Sequence, residues 1–358
     1  MQNNKQFIEN TLGGPVIITQ KIIFLVCFTL HLPLHAQYSD ILQNNKISWV
    51  AEYTTDYELN PAYNTKLETE ANLLELQRLV NTQGKNGLFP DSDVNIPYYF
   101  SQKIYAGLKA AAFQCYTDAN LQEQLTQEQV LSRFSWKDST SSDGFIAENE
   151  YSTEAFVTFR VRQVFFYNSA KRQFHVRILA LAPIPWTSDA EGYLIEHPPL
   201  LWIKLPELSK KQTRQLPKSA NYVLQTRTQE NSPMADQMRT TKGALNIQEW
   251  ATAEVQKPSH KALTVDGFQP LNGASLKALV YTADTLTTLN DQGQSVIDRI
   301  VQNNALETVE KIRFVQNWYF DEQHLLLGCE VVAVAPMATI NAAGGLFQFD
   351  KPLFYVKY

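Results

Sequence analysis

Between residues 157 and 180 apolar and polar positions alternate. Val157, Phe159, Val161 and Phe165 interleave with Thr158, Arg160 and Arg162, and after a polar stretch at 168–172 the alternation restarts with Phe174, Val176, Ile178 and Ala180. Successive side chains on a strand leave opposite faces, so a period of two predicts strands. Two such runs around a polar turn predict an antiparallel hairpin. Ala182-Pro183 is expected to close it, because proline cannot donate to a central ladder. The same order recurs at 312–320 and 325–334 around the turn 321–324, closed by Ala335-Pro336. A short strand follows each hairpin, at 200–205 and 353–358.

Elsewhere the spacing is helical. Residues 65–80 place Leu73, Leu76, Leu79 and Val80 on one face, and 101–116 predict a second helix. Thr126, with Gln129 three residues on, predicts the capping box of a third. In the second half 274–286 and 295–301 read as helices, the latter with Ser295 and Asp298 placed as a cap. The Ser-, Asp- and Glu-rich stretch 137–152 reads as a loop.

The two halves align. Pro183 and Pro336, Pro199 and Pro352, Arg160 and Arg313, Gln163 and Gln316, and Lys204 and Lys357 are all 153 residues apart. Upstream, 108–110 matches 276–278 at 168, and 130–134 matches 296–300 at 166. The shorter downstream offset assigns 13 extra residues to the loop at 137–152 of the first unit. The expected fold class is α+β: two repeated units, each with two or three helices followed by a small antiparallel sheet (hairpin plus closing strand). The division is 1–36 secretory signal peptide, 37–206 first unit, 207–247 polar linker, and 248–358 second unit. The linker carries Pro206, Pro217 and Pro233 at and within its edges, with one short strand expected near 222–226.

Composition narrows the function. Of 358 residues 44% are apolar and 19% charged, a globular balance, and the formal charge of −5 gives no global basic field for nucleic acid. The run 22–30 after Lys21 is shorter than a membrane-crossing helix and fits a secretory h-region, with cleavage near Ala36. Val26 before Cys27 argues against lipid attachment at that cysteine. A mature chain in the periplasm or outside the cell keeps Cys115 and Cys329, at non-equivalent places, which read as buried thiols or a bridge.

Histidines 175, 197, 260 and 324 lack the spacing of a zinc site, and the sequence contains no G-x-S-x-G, phosphate-binding glycine loop or H-E-x-x-H. His324 beside Asp321 and Glu322 reads as a solvated turn. No catalytic residue, metal site or cofactor is expected. Three adjacent aromatics, at 165–167 and 318–320, cannot share one face of a strand, so Phe166 and Tyr319 turn away from their neighbours. With Trp202, Phe354 and Tyr355 they are the candidate partner-contact or packing residues.

Several segments together resemble a known family. Leu108 to Tyr116 with Thr117-Asp118, Trp318-Tyr319-Phe320-Asp321, Val331 to Pro336, and Lys351-Pro352-Leu353-Phe354-Tyr355-Val356 look like the GldN/PorN family. That resemblance implies a periplasmic subunit of the type IX secretion and gliding-motility machinery. It also implies a non-enzymatic role in a ring built with an outer-membrane lipoprotein and further copies of itself. The first unit departs from the pattern, with Asn168 where an acidic residue follows the aromatics. The alternative is a secreted binding module or hydrolase with a site between the units.

Overall fold

The computed structural model describes residues 36–58, 99–138, 147–151, 155–156, 158–188, 194–227, 238–290, 292–342 and 347–358. The expected signal peptide, the helix at 65–80 and part of the loop at 137–152 lie outside them. The chain divides into residues 1–40 and 41–358. A 3-10 turn, Ala36–Tyr38, lies in the first body, and α1, Ser39–Gln43, begins there and ends in the second. The second body holds the rest, mostly antiparallel strands with a few short helices.

Its first sheet is built from β1 (Ile47–Glu58), β2 (Gln114–Tyr116), β5 (Thr158–Asn168), β6 (Gln173–Ile184), β9 (Trp202–Lys204) and β11 (Arg239–Lys242), in the order β11-β1-β5-β6-β9-β2. The second contains β10 (Lys218–Arg227), β12 (Lys261–Leu263), β13 (Pro270–Leu271), β16 (Val309–Asp321), β17 (Leu326–Ala342) and β19 (Tyr355–Lys357), in the order β10-β16-β17-β19-β12-β13, with β18 (Phe347–Pro352) also on β17. Three hairpins stand outside this order: β3 (Ser135–Asp138) with β4 (Ala147–Glu150), β7 (Trp186–Ser188) with β8 (Leu194–Glu196), and β14 (Tyr281–Leu289) with β15 (Ser295–Asn304).

The two sheets agree in register as well as order. Arg160 faces Ala182 and Gln163 faces Ile178; 153 residues on, Arg313 faces Ala335 and Gln316 faces Val331. The same single-residue bulge falls between Arg162 and Gln163 and between Val315 and Gln316, leaving Leu179 and Val332 as the extra residues. The closing strands match too, Ala180 with Lys204 and Ala333 with Lys357. Residues forced to positive φ coincide: Leu121 (57°) with Phe268 (51°), and Arg172 (50°) with Leu325 (53°). Such angles are uncommon for non-glycine residues, so their coincidence is specific.

The helices follow the same order. α2 (Tyr99–Lys109) precedes β2 as α5 (Ile247–Gln256) precedes β12. α3 (Gln127–Ser132) has the expected Thr126–Gln129 capping box, and α6 (Gly273–Val280) is capped by Asn272. Leu108 therefore corresponds to Val255, not to Leu276, whose counterpart is Val130. The match of 130–134 with 296–300 also fails, because Ser295–Asn304 is strand β15, not a helix. The extra length likewise sits elsewhere. β14 and β15 are longer than β3 and β4, so the second hairpin carries the surplus.

Residues 207–247 are not a linker. They contain α4 (Lys210–Thr213) and then β10, an element of the second sheet that also includes the short strand expected near 222–226. β11 follows and pairs with β1 of the first sheet. Gly243 closes β11 at φ 65°, and a Cβ there would clash with the Ser48 carbonyl, so only glycine fits. Nor do the two prolines end their strands. Pro183 and Pro336 lie within β6 and β17, and their carbonyls accept from Leu200 (3.2 Å) and Leu353 (3.0 Å).

One hydrophobic core joins the sheets and helices α2 and α5. Phe165 and Phe174 of the first sheet meet Phe314 of the second at ring separations of 4.8 and 5.5 Å, and Phe100 of α2 meets Phe320 at 4.8 Å. Burying each such ring is worth about 1.5–3 kcal/mol. Either sheet alone would expose this face.

Candidate functional site

The inward glutamines are the least expected residues of the core. Gln163 and Gln316 are both 0% exposed. The Tyr57 hydroxyl donates to Gln163 Oε1 at 2.7 Å and reaches Gln316 Oε1 at 3.3 Å, and Trp318 Nε1 donates to Gln316 Oε1 at 3.0 Å. Gln163 Nε2 lies 3.5 Å from Cys329 Sγ. Burial raises the Tyr57 hydroxyl well above the usual tyrosine range, so it stays a donor. An internal tie, not a ligand site, is what this geometry makes: a hydrogen-bonded knot between the two sheets.

On the outer faces, the cross-strand arginines pair in parallel ways. Arg160 grips Asp56 through Nε (2.7 Å) and Nη2 (2.8 Å). Its counterpart Arg313 points Nε at the Gln225 side-chain amide, 3.0 Å away once that amide is turned to present its oxygen. Arg162 pairs with Glu52 at 2.7 Å, both buried, and Arg239 of β11 binds the other carboxylate oxygen.

Phe166 and Tyr319 do turn away from their neighbours. Phe166 is half-buried and stacks on His175 at 5.2 Å. Tyr319 is buried and donates to Glu330, which also accepts from Arg214 Nε at 2.7 Å. α4 lies over this face: a Cβ on Gly328 would meet Thr213 Cγ2 at 2.8 Å. A cavity of about 110 Å³ opens beside it, lined among others by Phe166, His175, Lys210, Leu327 and Glu330. Burial and the nearby lysines push His175 down to about 4, so the ring is neutral at pH 7.

The other candidates are packing residues. Phe354 is in the shared core. Tyr355 joins Val315, Ala333, Ala335, Leu263 and Phe268 in a cluster on the outer face, and its hydroxyl accepts from Arg313. Trp202 holds the matching place in the first sheet, with Tyr116, Ala180 and Ala182. The terminal strand β19 is no open edge, since β17 and β12 flank it.

His324 and Asp321 form a turn. The Asp321 carboxylate accepts from the amides of Gln323 and His324, and His324 Nδ1 lies 2.7 Å away. The His324 contact holds Asp321 below its usual range. Asn168 accepts from the Lys171 amide at the equivalent place. An aspartate or an asparagine thus serves equally after the aromatics, which accounts for the first unit's departure. Cys115 and Cys329 are separate buried thiols. Among the described residues no cluster of three metal-ligating side chains occurs, and no helix is long and apolar enough to cross a membrane.

A surface that sequence reasoning missed is the β14–β15 ribbon. Tyr281, Val296 and Ile297 stand exposed on it, Ile297 at 67%. Its signal was the density of β-branched residues at 295–301, which favours strand over helix.

No curated protein matches the chain. The family model described as gliding motility associated protein GldN matches residues 91–242, from the residues before α2 to the end of β11. The segment 108–118 lies inside that stretch, and the segments 318–321, 331–336 and 351–356 lie beyond it. Over residues 91–242 the chain is similar to the GldN family.

Proposed function

We propose that the protein is a non-enzymatic, periplasmic structural subunit of the type IX secretion and gliding-motility machinery. It assembles into a ring with an outer-membrane lipoprotein and with further copies of itself. The family match over residues 91–242 carries this reading. The structure lends support in two ways. The polar side chains that converge in the core and on the outer faces are engaged in internal ties, and β14–β15 holds apolar side chains in solvent of the kind assembling surfaces bury. The two sheets are one ancestral unit in tandem, from β1 to β9 and again from β10 to β19. Shared register, bulges and positive-φ residues support that division, which replaces the one with a linker.

A hydrolase or binding module with a site between the units would need a roomy pocket there. The cavity beside β6 and β17 is about 110 Å³, against roughly 300 Å³ or more for ligand pockets. The test is purification of the tagged protein from envelope extract, with light scattering on the purified chain. A multimer that brings down an outer-membrane lipoprotein is expected. A strict monomer without an envelope partner would sink the proposal.

A further inference from the structure

Two surfaces of the molecule have complementary chemistry. The first is the face under α4. Its cavity of about 110 Å³ has apolar groups from β6, β17 and the residues leading into α4 in its wall, among them Phe166, Val176, Leu208 and Leu327. A cavity of roughly 150 Å³ holds a benzene molecule, so this one has room for a single aliphatic side chain. Bases crowd its rim. α4 carries Lys210 and Lys211 with Arg214 directly after it, and Lys210 forms part of the cavity wall. Lys171, in the turn before β6, is close enough to act on both His175 and Lys210. Glu330, the acid in the wall, is buried and already accepts from Tyr319 and Arg214. Although Glu330 lies 4.0 Å from Lys210, burial and the charges of Arg214 and Lys171 hold the Lys210 ammonium below its usual pKa. An incoming carboxylate would therefore meet an unsatisfied cation.

The second surface is the β14–β15 ribbon. Between Val280 and Leu306 no described side chain joins the core. Tyr281 and Val296 are exposed, and Ile297, at 67%, is the most exposed large apolar side chain described. Two strands by themselves are marginal in water, and apolar groups held in solvent are what assembling surfaces bury. The ribbon's charge is opposite in sign to that of the α4 face. By sequence, residues 281–308 carry Asp284, Asp291, Asp298 and Glu307 against Arg299. Pairing like surfaces is unfavourable both ways: ribbon on ribbon sets acid against acid, and α4 face on α4 face sets base against base. The unlike pairing brings opposite charges together and gives the cavity an apolar side chain.

We propose that the β14–β15 ribbon of one copy of this chain seats on the basic α4 face of a second copy, with Ile297 entering the cavity between β6 and β17. The proposal rests on the reading of the protein as a self-assembling subunit. The contact is head-to-tail: each copy offers its ribbon to one neighbour and its α4 face to the other. Repeated, a contact of that kind generates a ring if the rotation closes and an open filament if it does not. Ile297 is branched and aliphatic, the size the cavity admits, whereas the ring of Tyr281 is too large for it. Lys211, exposed on α4, then faces an acidic partner surface. Association of this kind weakens as salt rises, because the charges lie at the surface.

Two full-chain variants and their mixture test this by sedimentation velocity. Ile297→Lys spoils the ribbon, and Lys171→Glu with Lys211→Glu spoils the face. All three positions are exposed, so the variants should fold and melt as the unmodified chain does. The unmodified chain should form multimers, and either variant alone should self-associate more weakly by roughly tenfold or more. Mixed, the two should form a dimer and stop there, because the intact ribbon of one fits the intact face of the other and no second pair remains. If both variants assemble as the unmodified chain does, the surfaces are wrong while the reading as a subunit stands. If only one variant is impaired, or if both are and the mixture does not pair, ribbon and face are not each other's partners and the proposal falls. An unmodified chain that stays monomeric also overturns it, and capture of an outer-membrane lipoprotein then decides separately whether the subunit reading survives. A second readout needs no disruption. The native thiols are buried, so a benzophenone can be attached at Ile297→Cys. On irradiation it should crosslink to residues 206–213 of a differently tagged copy, and crosslinks confined to other segments overturn the proposal.

Discussion

Replacing Tyr57 by phenylalanine removes one hydroxyl from the knot between the sheets and little else. The ring keeps its contacts with Trp318 (4.9 Å) and Tyr222 (5.1 Å). Gln316 Oε1 keeps the Trp318 indole as donor. Gln163 Oε1 loses the donor at 2.7 Å, in a side chain with no solvent exposure. A buried acceptor left without its partner costs about 1–3 kcal/mol. Tyr57→Phe should therefore destabilise the protein by that amount in urea unfolding followed by tryptophan fluorescence, with the denaturant slope unchanged. Adding Gln163→Leu removes the stranded acceptor, so the double variant should lose less than the sum of the two singles, by about 1 kcal/mol. A second signature is pH. Burial raises the Tyr57 pKa well above 10, so the unfolded chain ionises first and the stability present below pH 10 falls as pH rises above it. The phenylalanine variant should show a shallower alkaline decline. A Tyr57→Phe change below about 0.5 kcal/mol, with strict additivity in the double variant, would refute the claim that this hydroxyl ties the sheets together.

The outer face and the thiols make three further predictions. His175 has its pKa lowered to about 4 by burial and by Lys210 and Lys171. Below about pH 6.5 the unfolded chain takes up this proton first, so stability should fall between pH 6.5 and 4, by up to about 3 kcal/mol. His175→Leu should lack that component in acid titrations of unfolding, and an unchanged slope contradicts the assignment. Gly328→Ala should cost about 1–3 kcal/mol through overpacking against Thr213. Adding Thr213→Ala should restore more than half of it, and a neutral Gly328→Ala means α4 does not pack as described. Burial pushes the Cys115 thiol up to about 11 and Cys329 higher still, so a thiol reagent at pH 8 should label both only after denaturation. Labelling of the native protein within minutes would show an opening that the packing forbids.

The hairpins were legible because their core faces follow a strict period of two, and the α3 capping box because its two side chains are close in sequence. The bulge at Leu179 was not legible. It moves Ala180 and Ala182 from the core face to the outer cluster with Trp202, although the alternation from Phe174 continues unbroken on paper. Polarity hid β10 and β11, which end their sheets among the described residues and in which one face needs apolar residues at most: Leu224 and Thr226 are buried, while Arg239 to Lys242 are exposed or half-buried. The helix expected at 295–301 rested on apolar residues three and four apart, a spacing that a ribbon exposed on both faces can also carry. The matched triplet at 108–110 and 276–278 misled for a different reason. Three residues of shared type are weaker than a register, and the register places Leu108 with Val255. Of the candidate site, the turned-out Phe166 and Tyr319 were foreseen, and the partners they found, His175 and Glu330, lie across the strand pair where no sequence spacing points.

Two sheets of matching register do not make two domains. If each unit had folded by itself, Phe165 and Phe174 would pack within the first sheet and Phe314 within the second. Instead the rings meet across the sheets, Gln163 and Gln316 reach one hydroxyl, and β11 crosses from the second unit's side to pair with β1. Each half supplies one wall of a single core, so a change on either wall is felt on both. The regions free to diverge are therefore those outside the shared walls: the hairpins β3–β4 and β14–β15, whose lengths differ. A subunit built this way keeps its rigid interior fixed by pairing of halves, while its contact surfaces vary independently on the two sides. An assembly that must present unlike faces to unlike neighbours has a use for that asymmetry.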